Sequence, residues 1–301
     1  MTTGVLVMAY GTPSSREAVE PYYTRIRHGR PPTPELLADL VRRYDAIGGT
    51  SPLAGRTREQ VDALSATLAR RYPLHYDVRF GAKYEPPLIE ETAASFAADG
   101  VTDVVGLALA PHSSSMSTDE YMARAREALG PTVAFRPIGA WWDTPGFLEL
   151  IARRVRAALA TLDPARRATT EVIFSAHSLP QRILERGDTY PDQLAESARR
   201  AAELADVERY DVAWQSAGRT ADPWIGPDIL EVLRTKAREG VTDVVSCPIG
   251  FVADHLEVLY DIDVDAQAVA REVGITLVRT ASLNSDPAFI DVLADVVVAH
   301  S

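Results

Sequence analysis

The sequence predicts an α/β protein of two similar halves, each a parallel sheet flanked by helices, and three observations carry that expectation. Short apolar runs alternate with longer stretches of helical period. A set of motifs occurs twice, in the same order. The chain has 301 residues, the length of two ordinary domains.

Taken in order, Val5–Met8 reads as the first strand and leads into Ala9-Tyr10-Gly-Thr-Pro13, while Val172–Phe174 leads into Ala176-His177-Ser-Leu-Pro180. Val78-Arg-Phe-Gly81 and Val212-Ala-Trp-Gln-Ser216 then each run into a Pro-rich turn and a helical stretch. Gly100-Val-Thr-Asp-Val-Val105 returns letter for letter as Gly240-Val-Thr-Asp-Val-Val245, and the apolar runs Val104–Leu109 and Val244–Ile249 begin inside these two copies. Two further strands, Val133–Ile138 and Ile275–Val278, precede Asp143-Thr-Pro145-Gly-Phe147 and Asp286-Pro287-Ala-Phe289. Leu148–Leu159 and Gln193–Leu204 carry the helical period. Strands alternating with helices imply parallel sheets, because parallel neighbours need long crossover connections. Rossmann-like halves of this kind hold ligands at the carboxyl ends of their strands, in a cleft expected here between the two. The expected division is residues 1–145 and 146–301, with the last helix packing back on the first half.

Composition narrows the function. Forty-two acidic residues against thirty-one basic ones give a net charge of −11, which disfavours nucleic acid and anionic lipid. No apolar run approaches the ~20 residues of a membrane span, and the first ten residues have neither a charged nor a long apolar segment, so a cytosolic protein is expected. One cysteine, Cys247, excludes an intrachain disulfide, a Cys-based zinc site and a four-thiolate iron–sulfur cluster; it reads as a core thiol in a strand. Neither a G-x-G-x-x-G nor a G-x-x-x-x-G-K-[ST] loop occurs.

Aligning the halves places Tyr10 where His177 stands and Ser117 where Glu257 stands, so the second half carries the titratable pair. An imidazole directly after a strand suits a proton acceptor or metal ligand; the alternative is a buried histidine that fixes the turn. Ser178 has no G-x-S-x-G context and is no nucleophile candidate. Glu257, Asp261 and Asp265 are spaced four apart and share one face of an α-helix, which fits either a hard divalent cation or a solvated acidic face; His255 points elsewhere and reads as structural. Residues 16–58 hold eight arginines and a charge of +3, against −14 for the remainder. That segment suits an anionic, carboxylate-bearing ligand or a charged helix surface. Gly48-Gly49-Thr-Ser51-Pro52 beside it reads as a tight loop with free donors.

Seven ordered motifs carry a family resemblance over nearly the whole chain: residues 6–13 (LVMAYGTP), 43–53 (RYDAIGGTSPL), 174–180 (FSAHSLP), 191–194 (PDQL), 214–216 (WQS), 223–227 (PWIGP) and 250–261 (GFVADHLEVLYD). Together they resemble the ferrochelatases, most closely the soluble coproporphyrin ferrochelatases of the Gram-positive type. The resemblance implies a chelatase-type fold, Fe2+ as substrate, and its insertion into coproporphyrin III in haem biosynthesis. It places the catalytic His and Glu at His177 and Glu257, and continues the metal path through Asp261 and Asp265, where an auxiliary divalent cation such as Mg2+ sits. Relatives often carry Glu at the position of Asp265. The resemblance also implies that Tyr10 faces the porphyrin from the opposite side, and that Arg27, Arg43, Tyr44, Ser51 and Tyr121 hold its propionates. It implies no iron–sulfur cluster, a monomer, a cytoplasmic location, and transient contact with the next haem-pathway enzyme. The polar, Pro-rich stretch 28–35 stands where membrane-bound relatives carry an apolar lip.

On this reading His177 and Glu257 supply ligand and base on one face of the ring. Other readings stay open on the residues themselves: a protoporphyrin IX ferrochelatase, a cobalt or nickel chelatase of the same fold, or a two-lobed haem or metal carrier without catalysis.

Overall fold

Strand β1 (Thr3–Ala9) is buried at every residue after Thr3, without alternation, because both of its faces are covered. The structure is a computed structural model that describes residues 2–73, 75–220 and 222–301. After β1 come helices α1 (Val19–Ile26), α2 (Pro34–Ala46) and α3 (Leu53–Arg71), strand β2 (Tyr76–Ala82), helix α4 (Ile89–Ala98), strand β3 (Asp103–Ala108), helix α5 (Thr118–Leu129) and strand β4 (Ala134–Pro137). All pairings are parallel, in the order β2-β1-β3-β4. The chain continues with α6 (Pro145–Ala160), β5 (Glu171–His177), α7 (Tyr190–Ala205), β6 (Tyr210–Gln215), α8 (Ile229–Arg238), β7 (Asp243–Cys247), α9 (Leu256–Tyr260), α10 (Gln267–Val273), β8 (Thr276–Arg279) and α11 (Pro287–Ala299). The second sheet repeats the first topology, β6-β5-β7-β8, again all parallel. The expected α/β class and two similar halves are therefore both present, and the duplicated motifs correspond to duplicated strands.

Two units make up the chain. The first comprises Met1–Trp141, Ala253–Leu256 and Leu283–Ser301, the second Trp142–Val252 and Glu257–Ser282. The helix that follows each sheet is exchanged: α6 comes after β4 in sequence yet packs on α7 in the second unit, and α11 comes after β8 yet packs on α3 in the first. Arg71 on α3 pairs with Asp295 on α11, and Gln60 Nε2 donates to the Asn284 carbonyl at 2.9 Å. Asn284 and Asp254 exchange two hydrogen bonds of 2.9 Å, which tie the 253–256 segment to the same unit.

Leu6, Met8, Phe96, Val104 and Ala125 belong to the apolar core of the first unit; Ile173, Leu233, Val244, Ile262 and Ala270 belong to that of the second. The repeated hexapeptide does the same work twice. Asp103 pairs with Arg136, and Asp243, 1% exposed, with Arg166 at 2.7 Å, so each copy's aspartate anchors an arginine at the start of its strand. Cys247 is buried within β7, where the lack of solvent pushes its thiol up to about 12.

Two local readings change. The apolar run Val244–Ile249 is strand only as far as Cys247, since Pro248 has no N–H to continue a ladder and Ile249 N bends back to the Cys247 carbonyl at 2.7 Å. The acidic stretch after Tyr260 is not α-helical: Asp261–Ala266 is a π-helical turn between α9 and α10. A spacing of four residues stays near one face in both helix types, so the sequence pattern did not separate them.

Gly250 lies against the end of β5, where an added Cβ would sit 2.5 Å from Ala176 Cβ and 2.9 Å from Ala176 Cα, directly before His177. The contact is with backbone, which cannot swing aside. We expect Gly250→Ala to lower unfolding free energy by about 2 kcal/mol, measured by urea denaturation.

Candidate functional site

His177 is the last residue of β5, at the carboxyl end of a central strand. Its Nδ1 lies against the Ser178 carbonyl, and its Nε2 faces Glu257 Oε1 at 3.5 Å. Both ring nitrogens therefore face acceptors. A neutral imidazole has one N–H and leaves a lone pair turned towards one of those oxygens; the imidazolium satisfies both. Burial opposes the charge, but the charge and hydrogen bond of Glu257, the Ser178 carbonyl and the charge of Asp261 outweigh it, and the imidazole is pushed up to about 9. At neutral pH the imidazole is therefore charged, and each side chain of the pair is one-third exposed.

The surroundings hold this imidazole in place. Ser178 N donates to Gln215 O at 2.8 Å and Ser178 Oγ to Ile225 O at 2.6 Å, so the serine hydroxyl fixes a loop. Tyr190 donates its hydroxyl to the His177 carbonyl at 3.0 Å, and burial beside the Glu257 charge holds that phenol well above its usual range, as a permanent donor. The Trp224 ring lies 6.4 Å from the imidazole centre and covers Gly218, where a Cβ would meet the indole at 2.3 Å.

Glu257 stands in the single turn of α9. Asp261 opens the π-helical turn and accepts a hydrogen bond from Ser216, which has a positive φ of 61°. Asp265 lies farther along, near Asp228, whose carboxyl is raised first by burial and then by the charges of Glu231 and Asp265. Asp263, between them, is taken by Arg279 at 2.8 and 3.0 Å. The structure thus brings His177, Glu257 and Asp261 near one another, with Asp265 farther along the same π-helical turn. Among the described residues no three His, Cys, Asp or Glu side chains form a group able to hold one ion, so His177 and Glu257 are a pair and not a preformed cage. His255 bonds the Ala253 carbonyl at 2.9 Å.

The residues expected to bind an anionic ring divide into two kinds. Tyr10, directly after β1, is 41% exposed and meets Tyr84 edge to face at 4.9 Å between centres. Arg27 follows α1; among the described residues no carboxylate pairs with its guanidinium, which lies over the Tyr23 ring at 5.9 Å. Arg43 is held by Asp39 at 3.1 Å. Tyr44, Ser51 and Tyr121 are buried: Tyr44 Oη is 3.4 Å from Thr12 Oγ1, Ser51 Oγ accepts from Leu53 N at 3.2 Å, and Lys83 Nζ lies 5.7 Å over the Tyr121 ring. Among the described residues, acidic partners stand beside five of the eight arginines in residues 16–58 (Arg16, Arg25, Arg42, Arg43 and Arg56). Much of the local positive charge is therefore spent within the fold.

Sequence reasoning missed Tyr190, Gln215, Ser216 and Trp224 as partners of the pair. Gln215, Ser216 and Trp224 fall within the quoted motifs, and their occurrence there was the available signal.

Comparison with known proteins shows the family and the fold. The family model described as "Ferrochelatase" matches residues 2–301. A ferrochelatase of Herpetosiphon aurantiacus is 46% identical over 301 residues, covering 99% of both chains. The coproporphyrin III ferrochelatase of Geobacillus kaustophilus is 45% identical over 303 residues, covering 99% of this chain and 95% of its own. Among solved structures, the sirohydrochlorin chelatase SirB of Bacillus subtilis subspecies spizizenii, in complex with cobalt, shares the fold with a TM-score of 0.59 at 12% identity, over 100% of this chain and 95% of its own. CbiX, described as the terminal enzyme of siroheme biosynthesis in denitrifying bacteria, does so with a TM-score of 0.56 at 14% identity, over 99% of each chain.

The shifted imidazole gives a direct test. In the wild-type protein, NMR titration of labelled histidine should show His177 still protonated at pH 8. In Glu257→Gln the main raising charge is gone while burial persists, so the midpoint should fall by more than one pH unit.

Proposed function

Because this chain belongs to the ferrochelatase family, we propose that it inserts Fe2+ into coproporphyrin III to give Fe-coproporphyrin III in haem biosynthesis. The observation that carries the chemistry is the His177 ring with both nitrogens turned to acceptors. Metal insertion must strip water from Fe2+ and remove two N–H protons from the macrocycle. In the resting pair one proton lies between Nε2 and Glu257. Incoming Fe2+ displaces it, taking the Nε2 lone pair and the carboxylate oxygen in its place, a mixed N/O set that suits a borderline metal. As the ion passes to the four pyrrolic nitrogens, His177 recovers a proton from the ring and Glu257 relays the other to solvent. Two protons leave for each Fe2+ inserted, and the pair returns to its starting state.

For the porphyrin, the reading uses the first unit. Tyr10 offers an exposed ring for the macrocycle, and Arg27, with no acidic partner among the described residues, is free to meet a propionate. Arg43 joins by exchanging Asp39 for a substrate carboxylate, and Tyr44, Ser51 and Tyr121 complete the propionate set. Asp261 and Asp265 guide hydrated cations towards Glu257 and hold the auxiliary Mg2+. The single cysteine leaves no ligand set for a cysteine-bound iron–sulfur cluster. The enzyme works as a cytoplasmic monomer that hands its product to the next haem-pathway enzyme in a transient contact, without nucleic acid or membrane. In support, no helix among the described residues is long and apolar enough to cross a membrane, and the net charge is −11.

Anaerobic incubation with Fe2+ and either coproporphyrin III or protoporphyrin IX, followed by visible absorbance, tests reaction and substrate together. The expected result is many turnovers per chain, faster with coproporphyrin III; one equivalent per chain would mark a carrier. His177→Ala should lose insertion by at least a hundredfold while porphyrin affinity, read by fluorescence quenching, stays within twofold. Since the entering ion must displace a proton held up to about pH 9, metal affinity should rise about tenfold per pH unit from 7 to 8.5 and level off above 9. Arg27→Ala should raise KM for coproporphyrin III several-fold, with kcat little changed.

A further inference from the structure

We propose that Gln215 is a positioning residue which sets the separation of His177 and Glu257, an inference that rests on reading those two groups as the reacting pair. Three contacts converge on it. On β6 it stands in register beside His177 on β5, and its carbonyl accepts Ser178 N–H at 2.8 Å, which fixes the strand end that carries the imidazole. Its side-chain Nε2 donates to the Glu257 carbonyl at 2.9 Å, which fixes the turn that carries the carboxylate. Its Oε1 accepts from Ser175 Oγ at 2.9 Å.

The amide has only one satisfied orientation. The Glu257 carbonyl can accept but not donate, so the NH2 end must face it and Oε1 must face Ser175, whose hydroxyl donates. Ser175 and His177 are two apart on one strand and lie on the same face, so the far end of the amide is anchored to the strand that presents the imidazole. Gln215 is 1% exposed and Ser175 0%, so water does not compete for these bonds. Glu257 gains from such an anchor because it stands in the first turn of the helical run that continues through the π-helical turn into α10, and helix ends fray. Gln215 touches neither metal nor ring: it acts through Glu257, and its loss is felt first in metal binding.

The test uses Co2+ as a spectroscopic probe of the His177–Glu257 pair in the porphyrin-free enzyme, with porphyrin affinity, thermal midpoint and turnover as companions. Gln215→Leu and Gln215→Met, which keep the bulk and remove the amide, should weaken Co2+ binding and lower kcat by about tenfold or more, as loss of an outer partner of a metal ligand does, with porphyrin Kd within twofold. Ser175→Ala should weaken Co2+ binding several-fold in the wild type and have no further effect beside Gln215→Met, because it acts only through the amide. Unchanged Co2+ affinity and kcat in a folded Gln215 variant, or full additivity with Ser175→Ala, would overturn the proposal. Parallel losses of Co2+ and porphyrin affinity in Gln215→Met together with Ser175→Ala would also overturn it, as general loosening. His177→Ala separates the premise: if it binds Co2+ as tightly as wild type, the reading of the pair fails, and this inference with it.

Discussion

The proposed chemistry depends on one imidazole that has been given no neutral resting position. With a backbone carbonyl on one side and a carboxylate on the other, the His177 ring is satisfied only when something positive occupies Nε2, either a proton or a metal ion. A carboxylate alone would bind hydrated cations loosely, and a lone imidazole would stay neutral above its ordinary midpoint near 6.5. Together they keep the imidazole protonated at neutral pH.

The duplicated fold gives this chemistry its asymmetry. Both sheets have the same strand order, and the same hexapeptide aspartate secures an arginine in each. What differs is the residue that follows the central strand. The first half presents Tyr10 with its aromatic and arginine-rich neighbours, and the second presents His177 with its acids. A symmetrical frame has been specialised by exchanging a few side chains at strand ends, where substitution costs the core little.

The architecture was legible because repetition, short apolar runs and the helical period are properties of the chain itself. Every strand expected from an apolar run was found, with Pro248 ending β7 early. His177 and Glu257 stood out in the sequence, but not their 3.5 Å approach, which depends on strands and turns eighty residues apart in the chain. In the arginine-rich segment the net charge did not show which arginines are held: Asp39, Asp45 and Glu59 pair from within or beside it, and Glu85 pairs with Arg25 from farther along the chain. The π-helical turn escaped because four-residue spacing suits both helix types. Gln215 escaped because its partner is a backbone carbonyl, which no side-chain pattern reveals.

The exchange of α6 and α11 bears on how such a duplicated chain can be taken apart. Scission between α6 and β5, where the second set of duplicated strands begins, would leave each fragment holding a helix that packs in the other unit and lacking its own. α3 would show water an apolar flank once covered by α11, and α7 one once covered by α6. Neither piece would then be a free-standing ancestor of the whole, and only both fragments produced together would regain a sealed interior.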